Sequence, residues 1–337
     1  MSVYERWITS RERSLTLRDR NRRIMPFDWG LEWLGEAPTG SAPLSTLKEY
    51  ADRAMRNGDF FAVDPMKEYV LKDDLLEFPS PIQTPYPNNN TAYCRLFPAA
   101  GSRQAVIVVP QWNANSESHA GLCKLLRRLG ITAARLCLPY HEARLPPDSI
   151  RADYMVSPNL GRTLQSTRQA VLEVRQLAAW LREMGYERIG VVGSSIGSCV
   201  TFLAFVNDLN ICTGVFNHVS AYYADVVWTG LSTRYVRWGL EGHISLKDLH
   251  RCWAPISPWY SIPRLKQHQR PHLLITAKYD LSFIPELSAK VFEQYRDHGI
   301  EHQRADLPCG HYTTASFPFS YLDAWWICRF LTRNLPR

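Results

Sequence analysis

The sequence predicts an α/β fold: a mostly parallel central sheet flanked by helices, with an inserted helical cap and an N-terminal helical extension. Three observations carry this expectation. The wholly apolar run AVIVVP (105–110) and the largely apolar runs RIGVVG (188–193) and HLLITA (272–277) have the pattern of buried strands. Segments with helical periodicity fill the intervals between such runs, and strands alternating with helices build a parallel sheet covered on both sides. One interval, residues 221–268, breaks the alternation and is too long for a plain connection.

The elements follow in order. Residues 1–73 form the extension, which reads as helical and irregular. Within it LSTLKEYADRAMRNGD (44–59) is an amphipathic helix stopped at Gly58. The catalytic unit is expected over 74–337. It opens with two strands, 74–80 and 91–98, separated by Pro and Asn turns. Strand 105–110 leads to a helix over about 116–129, with Leu122, Leu125, Leu126 and Leu129 on one face and Gly130 as its stop. Strand 132–139 and a loop rich in Pro and charge precede a long helix over about 162–184. Strand 188–193 runs into a helix from about 196. GVFNHV (214–219) and HLLITA (272–277) are further buried strands, a helix begins near Pro285, and strand 304–308 precedes a Trp-rich helix over about 319–332. The interval 221–268 contains Trp228, Trp238, Trp253 and Trp259, with Tyr222, Tyr223, Tyr235 and Tyr260. It reads as a cap over the carboxyl edge of the sheet, the kind of wall that lines apolar substrate pockets; the alternative is a helical excursion that only packs the core.

Composition narrows the function. The chain has 337 residues, 45% hydrophobic and 21% charged, too apolar for a disordered chain. No run approaches the roughly 20 apolar residues of a membrane span. The start, MSVYERWITSRERS, places charges where a secretory signal needs its apolar core, so a cytoplasmic setting is expected. The net charge is +7, and residues 11–23 alone carry six Arg against Glu12 and Asp19, a local +4. The surplus therefore sits in one short run and is not the broad basic surface that tracks nucleic acid. Such a run is a solvated helix face docked on the body, or else a peripheral contact with an anionic membrane or acidic partner. The eight cysteines form no C-x-x-C pair, which argues against a zinc site or a disulfide framework.

The chemistry centres on Gly193-Ser194-Ser195-Ile196-Gly197. G-x-S-x-G between an apolar strand and a helix sets a serine on a tight, strained turn with its hydroxyl exposed. Ser195 is the candidate nucleophile, and the Ile196 amide points at a developing oxyanion. A serine hydroxyl needs a base. His311, in the loop after the last strand, is the candidate; His119 and His141 are weaker ones. The imidazole needs a carboxylate to fix its tautomer. Asp280, just past HLLITA, is favoured over Asp306 and Asp225. A second oxyanion amide is expected from the loop after 105–110, at Trp112 or Gln111. His218, Ser194 and Trp228 are the candidate substrate-binding residues.

With GSSIG after a strand, KYDLSFIPE after a late strand and CGH after the last one, the chain from about 74 to 337 resembles the α/β-hydrolase superfamily, most closely esterase-type members with a helical cap. The order Ser195, Asp280, His311 is that of the superfamily. One departure stands out: Pro110-Gln111 occupies the place where many members carry His-Gly. The resemblance implies hydrolysis of an ester, thioester or amide through an acyl-enzyme, without metal or organic cofactor. A small-molecule carboxylic ester is the expected substrate. The alternatives are a peptidase or amidase on the same residues, and a catalytically silent binding protein of the same fold.

Overall fold

The computed structural model describes residues 2–18, 22–37 and 42–335. Helices α1 (Val3–Thr16) and α2 (Pro43–Arg56) precede a nine-stranded sheet. Its strands are β1 (Val70–Lys72), β2 (Leu75–Pro79), β3 (Thr91–Phe97), β4 (Gln104–Val109), β5 (Thr132–Leu136), β6 (Arg188–Ser194), β7 (Ile211–Asn217), β8 (His272–Ala277) and β9 (Gln303–Leu307). The spatial order is β1-β2-β3-β5-β4-β6-β7-β8-β9. The first three strands and the β3–β5 pair are antiparallel, and every pair from β5 to β9 is parallel.

The apolar run of β4 explains its central place. Ala105, Ile107 and Val109 face a core shared with α4 (Leu160–Glu183) and α5 (Ile196–Asn207). Val106 and Val108 face the opposite core, shared with α3 (Ala120–Arg128) and α10 (Phe319–Asn334). Side chains alternate across a strand, so a strand with helices on both sides must be apolar throughout. Helix α5 is buried from Ile196 to Val206, which puts the element that follows Ser195 at the heart of the molecule.

Between β7 and β8 the chain forms α6 (Tyr223–Thr229), α7 (Arg234–Leu240) and α8 (Leu246–Cys252), then short 3-10 turns to Lys266. Trp253 is fully buried and donates its indole N–H to the Leu160 carbonyl at 3.1 Å. Helix α9 (Pro285–Asp297) joins β8 to β9.

Several boundaries differ from expectation. Residues 70–72 pair with β2 as an edge strand within a segment expected to be helical and irregular. Helix α3 starts at Ala120, since the Asn115 side chain accepts from the Glu117 and Ser118 amides and holds 115–118 as a turn. Strand β5 ends at Leu136. Strand β7 spans Ile211–Asn217 because His218 takes a left-handed backbone (φ 61°) that ends it.

Helix α1 buries Ile8, Glu12 and Thr16 on one face and leaves Arg6, Arg11 and Arg13 exposed. Residues 19–21 of the arginine run lie outside the described residues. Among the described residues no helix is long and apolar enough to cross a membrane.

Candidate active site

Ser195 stands at the junction of β6 and α5, with φ 58° and ψ −122°. This backbone is strained for a residue with a Cβ, of order 1–3 kcal/mol. The surroundings enforce it. The Ser195 amide donates to the Asn217 carbonyl at 2.9 Å, and Ser198 Oγ donates to the Ser195 carbonyl at 2.7 Å. A side chain at Gly197 would place its Cβ 2.3 Å from the Val109 carbonyl oxygen, so only glycine lets the helix start this close to β4.

His311 lies in the loop after β9, with Nε2 2.9 Å from Ser195 Oγ. Its Nδ1 is 2.9 Å from Asp280 Oδ2. Phe283 stacks on the ring at a centroid distance of 5.1 Å. Asp280 is buried just past β8. Its Oδ1 accepts from the Ser282 and Phe283 amides, both at 2.7 Å, which fixes the carboxylate's orientation. Burial alone would push the Asp280 pKa up, but His311 and His218 outweigh it and hold the carboxyl well below its ordinary range. Burial pulls His311 down; Asp280 more than offsets this, so the imidazole is more basic than usual.

The other candidates divide. Ile196 and Trp112 line the cavity that opens at Ser195. Ile196 opens α5, where an N–H has no partner within the helix. In the loop after β4, Asn113 donates its amide to His141 Nε2 at 2.9 Å and Ala114 donates to the Gln111 carbonyl. The Gln111 and Trp112 amides make no such bond among the described residues. His141 therefore pins this loop, with its other nitrogen 2.8 Å from the Pro139 carbonyl. Ser194 turns away from the cavity to His119 Nε2 at 2.8 Å. Burial lowers the pKa of both His119 and His141 to about 4. Trp228 does not line the cavity; it stands against Arg237, on a different depression. His218 places Nδ1 3.1 Å from Asp280 Oδ2, so one carboxylate oxygen serves two imidazoles. Asp225 is tied to His250 and Lys290, and Asp306 to Thr276 and Arg304, far from this role.

From Ser195 an apolar cavity, partly open to solvent, runs between α5 and the 219–262 segment. Cys199 and Phe202 form one wall, and Tyr222, Tyr223, Val226, Val227 and Ile262 the other. Phe283, Leu274 and Val291 contribute from the β8–α9 side. Its polar groups, Ser195, Ser198, Ser220, Ser232 and Thr233, are hydroxyls without charge. Potential metal-ligand atoms of His218, Asp280 and His311 lie within 4.8 Å of one another. Both imidazole Nδ1 atoms already face the carboxylate, so the trio reads as a hydrogen-bonded relay.

No family model matches the sequence, and no curated protein does. Solved structures do match. Acetyl xylan esterase 1 from Thermoanaerobacterium superposes with a TM-score of 0.58 at 15% identity, over 91% of this chain and all of the esterase. The chain has the α/β-hydrolase fold. The acylaminoacyl peptidase of Pyrococcus horikoshii shares that fold with a TM-score of 0.58 at 14% identity, over 82% of this chain. A puromycin-hydrolysing peptidase of Mycobacterium tuberculosis gives 0.57 at 14% identity, over 73% of this chain. The match spans only 43% and 37% of these two peptidases. On an α/β-hydrolase sheet the Ser195, Asp280 and His311 loops all leave carboxyl ends of parallel strands, which is why residues so distant in sequence meet.

Sequence reasoning missed two contributors and gave a third, His218, a different role. Phe283 stacks on His311, Glu12 of α1 reaches the His311 loop, and His218, expected to bind substrate, shares Asp280. Of the two missed residues only Glu12 left a signal: it sits four residues after Ile8 and four before Thr16, on one helical face.

Proposed function

We propose that this α/β-hydrolase is a serine hydrolase that cleaves carboxylic esters with an apolar acyl group through an acyl-enzyme. The observation that carries the reading is the relay Ser195 Oγ–His311 Nε2 (2.9 Å) and His311 Nδ1–Asp280 Oδ2 (2.9 Å) at the mouth of an apolar cavity. Ser195 Oγ attacks the acyl carbon as His311 Nε2 takes its proton. The carbonyl oxygen becomes an oxyanion held by the Ile196 amide and by that of Trp112 or Gln111. The C–O bond breaks, and the leaving alkoxide takes the proton from His311. Water then attacks the acyl-enzyme with His311 again as base, and the acid leaves as Ser195 recovers its proton. Two preorganised amides supply about 3–4 kcal/mol each in such sites.

The cavity supports the acyl assignment. It offers hydroxyls and aromatic walls but no charge, so binding follows buried apolar area, about 25 cal/mol per Å². An amide substrate is the second reading, favoured by the two peptidases among the structural neighbours. A panel of nitrophenyl esters from acetyl to decanoyl, run beside aminoacyl anilides, separates the two. A fluorophosphonate probe should label wild type and not Ser195→Ala. A wild-type chain that is neither labelled nor active on any ester or anilide refutes the hydrolase reading.

A further inference from the structure

Glu12 is buried on α1, yet no Lys or Arg among the described residues pairs with it. Its carboxylate instead accepts from the Tyr312 amide at 3.0 Å, the Thr313 amide at 2.9 Å and Thr313 Oγ1 at 3.1 Å. Burial raises the Glu12 pKa above its ordinary value, and the two amides, which can only donate, work against that and favour the ionised form. Gly310, on the other side of His311, lies so close that a Cβ there would meet Glu12 Cδ at 2.5 Å. The carboxylate thus grips the His311 loop on both sides of the imidazole. Helix α1 is anchored for the purpose. Ile8 is buried in the core beneath this loop, and the Tyr4 hydroxyl donates to the Pro308 carbonyl. The Tyr4 ring meets Tyr279, next to Asp280, edge-on at 5.9 Å.

We propose that Glu12 is a positioning residue for His311: through the Tyr312 and Thr313 amides it holds the His311 loop in register with Ser195, and its charge complements the imidazolium that forms during reaction. The inference rests on the reading of His311 as general base. It also makes the N-terminal helix part of the active centre. A buried carboxylate without a cation is costly. At this site the missing positive charge is the one His311 acquires. The groups facing His311 are Ser195 at the start of α5, Asp280 after β8, His218 after β7 and Glu12 on α1. Cys309 and Tyr312 flank it along its own loop, and Arg22 donates to the Tyr312 hydroxyl at 2.8 Å. Asp280 acts first in raising the His311 pKa, and Glu12 adds to it.

Glu12→Gln keeps the shape but removes the charge and, with its oxygen in the Oε2 place, sets an NH2 against the Tyr312 amide. Its kcat should fall about ten- to a hundredfold with KM nearly unchanged, the cost of a displaced base. The acid limb of kcat/KM should move to lower pH. Glu12→Asp keeps the charge and withdraws from the amides, so kcat should fall while the limb stays near its wild-type position. Tyr4→Phe, which loosens α1 without touching Glu12, should lower the melting temperature and leave the limb in place. Titration of the His311 ring by NMR in substrate-free protein should show the same downward shift in Glu12→Gln. That readout separates this idea from the esterase reading: an inert wild-type chain refutes the hydrolase, whereas an unshifted His311 titration in Glu12→Gln refutes the role of Glu12. If Glu12→Gln does not fold, an Asp variant as fast as wild type overturns the proposal.

Discussion

Asp280→Asn is the most discriminating perturbation of this centre, because the surrounding backbone dictates how the new amide must sit. The Ser282 and Phe283 amides both donate to Oδ1 at 2.7 Å. They accept no alternative but a carbonyl oxygen, so the asparagine Oδ1 stays there and its NH2 takes the place of Oδ2. That place faces His218 Nδ1 at 3.1 Å and His311 Nδ1 at 2.9 Å. Both imidazoles must then offer a bare Nδ1 as acceptor. For His311 this moves the proton to Nε2, the atom 2.9 Å from Ser195 Oγ, and a protonated Nε2 cannot receive the serine proton. The loss combines the wrong tautomer with the missing counter-charge. An inverted tautomer of this kind costs about 10⁴-fold in kcat, about 5.5 kcal/mol at about 1.4 kcal/mol per decade. Folding should suffer little, since the amide satisfies the same four partners. The assay is kcat on a short-chain nitrophenyl ester alongside a thermal melt and fluorophosphonate labelling. A well-folded Asp280→Asn that retains more than about a tenth of wild-type kcat would show that His311 does not depend on this carboxylate, and the mechanism would have to be abandoned.

Two further outcomes follow from packing. Gly197→Ala drives a Cβ to within 2.3 Å of the Val109 carbonyl, so α5 must shift away from β4; the melt should register a loss of about 2 kcal/mol or more, together with slower labelling of Ser195, and an unchanged melt contradicts the close approach. Val227→Phe adds a ring to the cavity wall opposite α5. Decanoyl ester turnover should fall about tenfold or more relative to acetyl ester, and an unaltered chain-length profile would place the acyl group elsewhere.

The centre was legible in part, and the division has a physical cause. Ser195 and Asp280 each follow an apolar run that reads as a buried strand, and His311 follows an edge strand in which only Ala305 and Leu307 turn inward, so the sheet itself aligns them and strand-end position is readable from periodicity. The orientation of a residue within the inserted helices is not, because those helices are short. Tyr223, Val226 and Val227 share the cavity-facing side of α6, and Trp228, one residue on, points away. A shift of one position in the helix phase was enough to misplace it as a substrate contact. Ser194 fails for the related reason that neighbours in an extended strand point to opposite faces, and it serves His119. Glu12 was hidden by its company: in RERS it reads as one more charge on a solvated face. Burial of a carboxylate becomes intelligible only when the two amides that receive it, three hundred residues away, are seen beside it.

Asp280 serving two imidazoles leads to a last prediction, opposite in sign to that for Glu12. His218 and His311 stand 4.3 Å apart, centre to centre, on one carboxylate oxygen. Burial first, and then the charge of His311, lower the His218 pKa, so His218 remains neutral when His311 is protonated. A neutral His218 still donates through Nδ1 and disperses negative charge that His311 would otherwise meet undiluted. His218→Asn suits the left-handed backbone at this position (φ 61°), and its shorter amide withdraws from Asp280. Asp280 then acts on His311 alone, and the imidazole becomes more basic. A general base works only when deprotonated, so a more basic His311 moves the acid limb of kcat/KM upward. The wild-type limb should itself stand above that of an ordinary imidazole, because Asp280 raises the His311 pKa despite burial. Activity near neutral pH should drop through this shift, while activity well above the limb stays within about tenfold of wild type. An acid limb that moves down, or a uniform loss at all pH values, would mean that His218 supports the position of Asp280 and leaves its charge untouched. With Glu12 raising the basicity of His311 and His218 tempering the pull of Asp280, the pH at which the centre works is set from one helix and two strand ends at once.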